Sequence, residues 1–211
     1  MARTVNDGNR ELVQIRILEA AQPVFCEKGF SDVTMTDLIN AAGLSRGGYY
    51  FYFKSVGSVF RATVTRHRNR RFAEIRKAIE DDHNFYQILD SYLEKQKLRL
   101  LNMEESMLRA LYEYLFTHQE ERDAQFRNEQ KNNILETVNA ILQLGKRQNI
   151  ISGDGLEQIA EHFMYTIEGL NVMAMLGGLT AEIVDAQLDI LKQLLMNNRN
   201  LCCDCKPQQV K

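Results

Sequence analysis

Apolar residues recur every three or four positions along the first part of the chain. Over residues 10–28 the stripe includes Leu18, Ala21 and Phe25, and Gly29 follows as a natural end point. This spacing places apolar side chains on one face of an α-helix, which then packs against a core. The pattern therefore predicts a first helix over residues 10–28.

Two shorter helices are predicted next, from the segment VTMTDLINAAGLS and the residues that follow it. Thr34, with Asp37 three positions later, resembles a capping box, in which both side chains bind N–H groups at a helix start. Gly43 ends that helix, and Ser45 can cap the following one. Residues 34–53 thus have the layout of a helix-turn-helix.

Helical periodicity continues through most of the remaining chain, and the composition agrees with it. Further helices are predicted over about 55–79, 84–101, 104–117, 120–148, 155–176 and 181–197. The chain has only two prolines, no tryptophan and long stretches of strong helix formers. We expect an all-α fold with enough apolar material for one or two domains of ordinary size.

A run of five aromatic residues, from Tyr49 to Phe53, follows a pair of glycines. A β-strand there would lack a partner strand in a helical chain, so we interpret the run as helix. At about 100° per residue, Tyr49 and Phe53 point to one side, whereas Gly47, Tyr50 and Phe51 face the other. The first side can anchor the helix in a core. The second side combines close backbone approach at glycine with hydroxyl groups that can bind phosphate oxygens.

Charge is distributed unevenly along the chain. Residues 1–77 carry 13 basic and 7 acidic side chains, a net charge of +6, whereas residues 78–211 carry 13 and 21, a net charge of −8. The first part can therefore approach a polyanion, and the second part is repelled by one.

The span from about Ile15 to Phe60 resembles the DNA-binding domain of TetR-family transcriptional repressors. The matching segments are ILEAAQPVFCEKGF in the first helix and VTMTDLINAAGLSRGGYYFYFKS across the helix-turn-helix. The resemblance implies a three-helix DNA-binding domain with the helix-turn-helix at residues 1–55. It also implies a larger helical ligand-binding and dimerisation domain at residues 56–199, followed by a C-terminal tail at 200–211.

The resemblance further implies DNA-contacting roles for three groups of residues. The phosphate contacts at the start of the second helix fall on Thr34 and Thr36. The positions that face base edges in the major groove are Ser45, Arg46, Gly47 and Gly48. The positions that hold or flank the sugar-phosphate backbone are Tyr50, Phe51 and Tyr52.

Arg46 and Lys54 are the two basic candidates for DNA contact in this segment. Arg46 can read a guanine through two hydrogen bonds to O6 and N7, or it can bind a phosphate, as most Lys and Arg contacts do. The family usually places a lysine for phosphate binding at the start of the next helix, where Val56 and Gly57 stand in this sequence. Lys54 is therefore our candidate for that phosphate contact.

The helix predicted over 155–176 carries one apolar stripe and further apolar residues beside it. The stripe consists of Leu156, Ile159, Phe163, Ile167 and Leu170. The additional residues are Met164, Val172, Met173 and Leu176. Such a helix is covered on more than one side, either within a monomer core or by a second copy of the chain. The resemblance implies a homodimer through the last two helices, and a two-fold dimer suits a palindromic operator in double-stranded DNA.

A small-molecule inducer is also implied by the resemblance, bound among the C-terminal helices. Candidate lining residues are Tyr92, Met107, Leu111, Tyr112, Phe116 and Phe163. Methionine and aromatic side chains suit a largely apolar ligand, but the same residue types fill ordinary cores. Both interpretations of these residues stay open.

Two other classes of function compete with a DNA-binding regulator. We do not expect an enzyme, because His67, His83, His118 and His162 are scattered and no nucleophile elbow or phosphate-binding glycine loop is present. The alternative is a helical ligand-binding or adaptor protein without DNA binding. The first 60 residues lend it some support, since they carry six basic and six acidic side chains.

Neither a cofactor nor a metal site is expected. Cys202, Cys203 and Cys205 could supply three thiolates to a soft metal, but no fourth ligand or zinc-like spacing accompanies them. The other interpretation is an unstructured terminus. No apolar run approaches the roughly twenty residues of a membrane span, and the N-terminal residues lack a secretion signal. We expect a cytoplasmic protein that does not contact membranes.

Overall fold

The computed structural model describes residues 2–103, 106–151 and 155–197. Within these ranges the secondary structure is helical and no strand occurs, so the all-α prediction is confirmed. No helix in the described ranges is long and apolar enough to cross a membrane. The predicted tail at 200–211, with Cys202, Cys203 and Cys205, lies outside the described residues.

The helix boundaries follow the predicted order. The helices are α1 (Ala2–Lys28), α2 (Met35–Ala42), α3 (Arg46–Tyr52), α4 (Val56–Glu80), α5 (Phe85–Leu101), α6 (Leu108–Thr117), α7 (Ala124–Arg147), α8 (Leu156–Met175) and α9 (Ala181–Asn197). Helix α1 begins earlier than predicted. Helix α7 begins later, because an extended residue, Glu120, and a short 3-10 turn at Glu121–Asp123 precede it.

The chain divides into two compact units that do not follow chain order. The first unit comprises Met1–Phe72 and Asn102–Arg127, and the second comprises Ala73–Leu101 and Asn128–Lys211. Helix α6 therefore groups with the three N-terminal helices. The predicted domain boundary between residues 55 and 56 stays a prediction, because a division by contacts does not show which part functions alone.

Aromatic rings dominate the core of the first unit. Members of this core include Ile17, Phe25, Leu38, Tyr49, Phe60 and Tyr114. The Phe30 ring meets the rings of Phe60 and Tyr114 edge to face, with centroids 5.0 and 4.8 Å away. Edge-to-face pairs at these distances add about 0.5–1.5 kcal/mol each beyond area burial. Helices α1, α4 and α6 thus share one aromatic core.

A buried acidic residue links α4 to the turn before α7 in the same unit. The Asp123 carboxylate is fully buried, and its Oδ1 accepts hydrogen bonds from Tyr114 Oη at 2.5 Å and Arg61 Nη1 at 2.9 Å. Burial opposes ionisation, but the Tyr114 hydrogen bond and the Arg61 charge lower the pKa of Asp123 below its usual value. This network fixes α4 relative to α6.

The second unit packs α5, α8 and α9 around a core that is mostly aliphatic. Its fully buried side chains include Leu89, Tyr92, Phe163, Ile167, Val184 and Leu195. Two ion pairs between α5 and α9 flank this core, Lys97 with Asp185 and Lys192 with Asp90, each at 2.6 Å. Such exposed pairs contribute little, and the burial of apolar side chains holds the helices together.

Candidate nucleic-acid interface

The start of α2 is fixed by the predicted capping box. The Thr34 hydroxyl accepts a hydrogen bond from the Asp37 N–H at 3.2 Å, and the Asp37 carboxylate accepts one from the Thr34 N–H at 2.9 Å. A hydrogen bond from Lys28 and then those from Thr34 lower the pKa of Asp37 to about 2. Thr34 and Thr36 both remain exposed, where a phosphate could approach them.

A glycine turn separates α2 from α3. Gly43 has φ 63° and ψ 31°, a left-handed conformation that favours glycine, and its N–H donates to the Asn40 carbonyl at 3.2 Å. Ser45 is then extended, and its hydroxyl accepts a hydrogen bond from the Gly48 N–H at 3.2 Å. The predicted helix-turn-helix is therefore confirmed.

Helix α3 has a buried side and a bare side. Tyr49 and Phe53 are buried in the core of the first unit, as expected from their spacing. Phe51 is 59% exposed on the other side. A Cβ atom added to Gly47 would have no other atom within 4 Å. The backbone at Gly47 is thus open to close approach by another surface.

Besides Thr34 and Ser45, whose hydroxyl groups cap α2 and α3, three of the predicted contact residues are partly engaged within the protein. The Gly48 N–H is bound by Ser45, and a Cβ added at Gly48 would lie 3.1 Å from that hydroxyl. Tyr52 is half-buried against the core. The Lys54 ammonium donates a hydrogen bond to the Tyr50 carbonyl at the end of α3. The DNA contacts of these residues stay predictions.

Two arginine side chains lie over aromatic rings of α3. The Arg46 guanidinium is 5.8 Å from the centroid of Tyr50, and the Arg10 guanidinium is 5.4 Å from the centroid of Phe51. Cation–π contact at such distances limits where each guanidinium can point. Arg10 belongs to α1 and is exposed. Sequence reasoning missed it, because no local motif connects Arg10 with Phe51.

The residues predicted to line a ligand pocket are divided between the two units. In the first unit, Met107 and Leu111 belong to the aromatic core or pack against it, and Phe116 is 73% exposed. Tyr112 is half-buried there. In the second unit, Tyr92 and Phe163 are fully buried. A shared pocket for these residues stays a prediction.

Helices α8 and α9 expose an apolar surface in addition to the apolar residues that they bury, and we term it the α8–α9 face. The predicted α8 stripe is turned inward, with Phe163, Ile167 and Leu170 buried. The α8–α9 face consists of Tyr165, Val172, Met173, Leu176, Ile183, Ile190 and Leu194. Side chains at this spacing lie on one side of each helix. An apolar surface of this kind is typical of a protein interface.

The capped α2, the glycine turn and the bare side of α3 define a helix-turn-helix DNA-binding protein. Residues 17–63 match the family of bacterial regulatory proteins described as the tetR family. The HTH-type transcriptional regulator YfiR of Bacillus subtilis, itself uncharacterized, is 30% identical over 173 residues, which cover 81% of this chain and 83% of that protein. The chain therefore belongs to the TetR family and is a DNA-binding transcriptional regulator.

Two further similarities agree with this assignment. The HTH-type transcriptional repressor BepR of Brucella suis is 34% identical over 67 residues, which cover 32% of each chain. The reduced form of NemR from Escherichia coli superposes with a TM-score of 0.72 at 16% identity, covering 87% of this chain and 97% of that one. At that identity the superposition shows a shared fold. TetR regulators bind operator DNA and act as dimers.

Proposed function

We propose that the protein is a homodimeric repressor that binds a palindromic operator and is released from it by a small molecule. The bare side of α3 is the observation that carries this proposal. Gly47 is open there, and Tyr49 and Phe53 hold the helix from behind. The description of BepR as a repressor supports the sign of regulation.

Base recognition is assigned to the first turn of α3. With Gly47 against the DNA, the α3 backbone can lie deeper in the major groove than a helix with a bulky side chain at that position. Ser45 and Arg46 are exposed beside it, and Gly48 is half-buried. We assign a guanine contact to Arg46, whose position over the Tyr50 ring directs the guanidinium along the exposed side of α3.

Phosphate contacts are assigned to residues around α3. These residues are Thr34, Thr36, Tyr50, Tyr52 and Lys54, together with Arg10, and Phe51 flanks the sugar-phosphate backbone without donating a hydrogen bond. Thr34 and Thr36 stand at the start of α2, where the exposed Thr36 hydroxyl can donate to a phosphate oxygen. The Thr34 hydroxyl donates to the Asp37 carboxylate at 2.7 Å in the free protein and would exchange that acceptor for the phosphate. Such contacts set the register of the protein on the duplex without reading its sequence.

Dimerisation is assigned to the α8–α9 face. One helix-turn-helix reads only a few base pairs, so two copies of it, related by a two-fold axis, are needed for tight, specific binding. The α8–α9 face can pack against its own copy as a four-helix bundle. This arrangement would remove Leu176, which is 74% exposed in the single chain, from water.

Release from DNA by a ligand is assigned to the helices C-terminal to the helix-turn-helix. The candidate contacts are Tyr92 of α5 and Phe163 of α8, which are both fully buried within the second unit. A ligand that binds one arrangement of these helices better than another shifts the population between them. The protein leaves the operator if the favoured arrangement holds the two helix-turn-helix motifs of the dimer at a spacing that does not match the two half-sites.

A gel-shift titration with the DNA that flanks the gene tests the proposed function. Wild-type protein should bind one fragment tightly, and log Kd should rise linearly with log salt because phosphate contacts release counterions. A fragment without the operator should bind at least about a thousandfold more weakly. Absence of binding to every duplex at low salt would contradict the proposal and favour an adaptor role.

Substitution of Arg46 should separate base reading from phosphate binding. We expect Arg46→Ala to weaken operator binding by about 1–3 kcal/mol and to relax selectivity at one base pair. Tyr50→Phe, the matched change in a phosphate-contacting residue, should weaken binding to all sequences similarly. Affinities for a panel of single-base operator variants measure both effects. Equal loss on every duplex after the Arg46 change would remove its assigned base contact.

Substitution of Arg10 should reveal a phosphate contact that lies outside the helix-turn-helix. We expect Arg10→Ala to weaken binding to specific and nonspecific duplexes alike, and to reduce the slope of log Kd against log salt by about one. Arg16→Ala provides the matched control, because Arg16 is also exposed on α1 but lies more than a turn further along it. Unchanged salt dependence after the Arg10 substitution would exclude Arg10 from the interface.

A further inference from the structure

The turn between α1 and α2 is bound by a carboxylate from α6. After α1 ends, the N–H groups of Phe30 and Ser31 both donate to Glu113 Oε2, at 2.6 and 2.9 Å. Consecutive backbone N–H groups next to a left-handed residue form a small anion-binding concavity. Glu113 supplies the anion from a helix about 80 positions later in the chain.

A neighbouring arginine completes this contact. Arg109, one turn before Glu113 on α6, donates from Nε to Glu113 Oε1 at 2.9 Å and from Nη2 to the Lys28 carbonyl at 3.2 Å. The carboxylate thus binds the N–H groups of the turn, and the guanidinium binds a carbonyl at the end of α1. Partial burial opposes ionisation of Glu113, but the hydrogen bonds from Ser31, Arg109 and Phe30 lower its pKa below the usual value.

Gly29 has the backbone conformation and the lack of a side chain that this contact requires. Its φ is +78°, in the left-handed region that favours glycine, and an added Cβ would lie 2.6 Å from both carboxylate oxygens of Glu113. A side chain at this position would therefore displace the carboxylate as well as strain the backbone. The left-handed backbone and the lack of a side chain are thus both required at the point where α6 contacts the turn.

The turn leads directly into the helix-turn-helix. The Phe30 ring packs edge to face against both Phe60 and Tyr114, whose rings stack on each other. Lys28, whose carbonyl binds Arg109, also forms an ion pair with Asp37 of the α2 capping box at 2.7 Å. A displacement of the turn would therefore change where α2 begins, and with it the direction of α3.

We propose that Glu113 and Arg109 are positioning residues for operator recognition, acting through the α1–α2 turn rather than by touching DNA. The inference rests on the operator binding proposed above. The pair on α6 holds the turn in the one arrangement in which α3 fits the major groove. Loss of the Glu113 and Arg109 contacts leaves the attraction to phosphates intact. It misaligns α3 with the base edges that α3 would contact.

Paired measurements of specific and nonspecific binding test this inference. Glu113→Ala and Glu113→Gln are titrated with the operator and with an unrelated duplex of the same length, and thermal unfolding is recorded for each variant. We expect Glu113→Ala to lower operator affinity about tenfold and to leave affinity for the unrelated duplex unchanged within about twofold. Glu113→Gln keeps a carbonyl acceptor for the turn and should show a smaller loss.

The outcomes distinguish positioning from a purely structural role. If Glu113 only stabilises the fold, its loss reduces the folded fraction, and both affinities fall by the same factor; that result would overturn the inference. Unchanged operator affinity in both variants would overturn it as well. Glu136→Ala, at an exposed position of α7, controls for the loss of one acidic charge. Failure of the wild-type protein to prefer the operator would instead contradict the proposed function.

Discussion

Replacement of Gly47 by leucine is expected to abolish operator recognition without destabilising the protein. A Cβ atom added at Gly47 meets no other atom within 4 Å, and the position is exposed, so the rest of a side chain can extend into solvent. Glycine inside a helix costs about 0.5–1 kcal/mol relative to better helix formers, so α3 should gain stability. On DNA, however, the leucine occupies the space that the base edges need. Affinity for the operator should fall at least about a thousandfold, to the level of nonspecific binding.

Two measurements decide this prediction. Chemical denaturation should give an unfolding free energy at least equal to that of the wild type, and a gel-shift titration should show no preference for the operator. Gln143→Leu provides the control for an added exposed leucine, because Gln143 lies on the exposed side of α7. Gly47→Ala should fall between wild type and Gly47→Leu. Retention of full operator affinity by Gly47→Leu would show that α3 does not enter the groove with this side.

Local features of the fold were accessible from the sequence because their causes are local. The Thr34–Asp37 capping box and the left-handed Gly43 each depend on residues within one turn of the chain. The same holds for the two sides of α3, where Tyr49 is buried and Phe51 exposed, since helical geometry fixes their directions. These features made the helix-turn-helix predictable.

Contacts between distant segments were not accessible in the same way. Glu113 binds the N–H groups of Phe30 and Ser31, and nothing in the sequence around Glu113 indicates a partner so far away. Asp123 is fully buried, although an aspartate at the start of a polar turn predicts an exposed side chain. Its burial depends on Arg61 of α4, and a single sequence does not reveal that pairing.

Assignment of α6 to a unit illustrates the same limit. Its apolar residues predict a buried helix, but periodicity does not say which neighbours cover them. In the structure, Ala110 and Tyr114 belong to the core that also holds Tyr49. Residue type alone therefore places Met107 among the candidate ligand contacts, whereas in the structure it belongs to the aromatic core.

The α8–α9 face could be predicted in part from the sequence. The sequence shows that α8 is apolar around more than half of its circumference, and the structure shows which part is covered. Ile167 is fully buried, whereas Val172 and Met173 are 42% and 45% exposed. Of the residues that widen the stripe, Met164 is buried within the single chain, whereas Val172, Met173 and Leu176 are left uncovered, which favours cover of these three by a second copy.

Introducing acidic residues into the α8–α9 face is expected to convert the protein to a monomer. Val172→Glu and Ile190→Glu, combined in one variant, change residues that are 42% and 49% exposed in the single chain, so the monomer should fold normally. In the proposed dimer these positions would be buried in the interface, and buried, unpaired carboxylates are costly. Light scattering should show the mass of one chain where the wild type shows two.

Operator binding should fail in the same variant, because each monomer reads only half of the palindrome. Specific binding near 10⁻⁹ M corresponds to about −12 kcal/mol, and a half-site that supplies about half of this free energy loses well over a thousandfold in affinity. Leu98→Glu, which changes a residue 52% exposed on α5, should leave both mass and affinity unchanged. A dimer that survives the double substitution would move the interface elsewhere. A monomer with full operator affinity would instead separate DNA recognition from two-fold symmetry, because one helix-turn-helix would then supply all of the binding free energy.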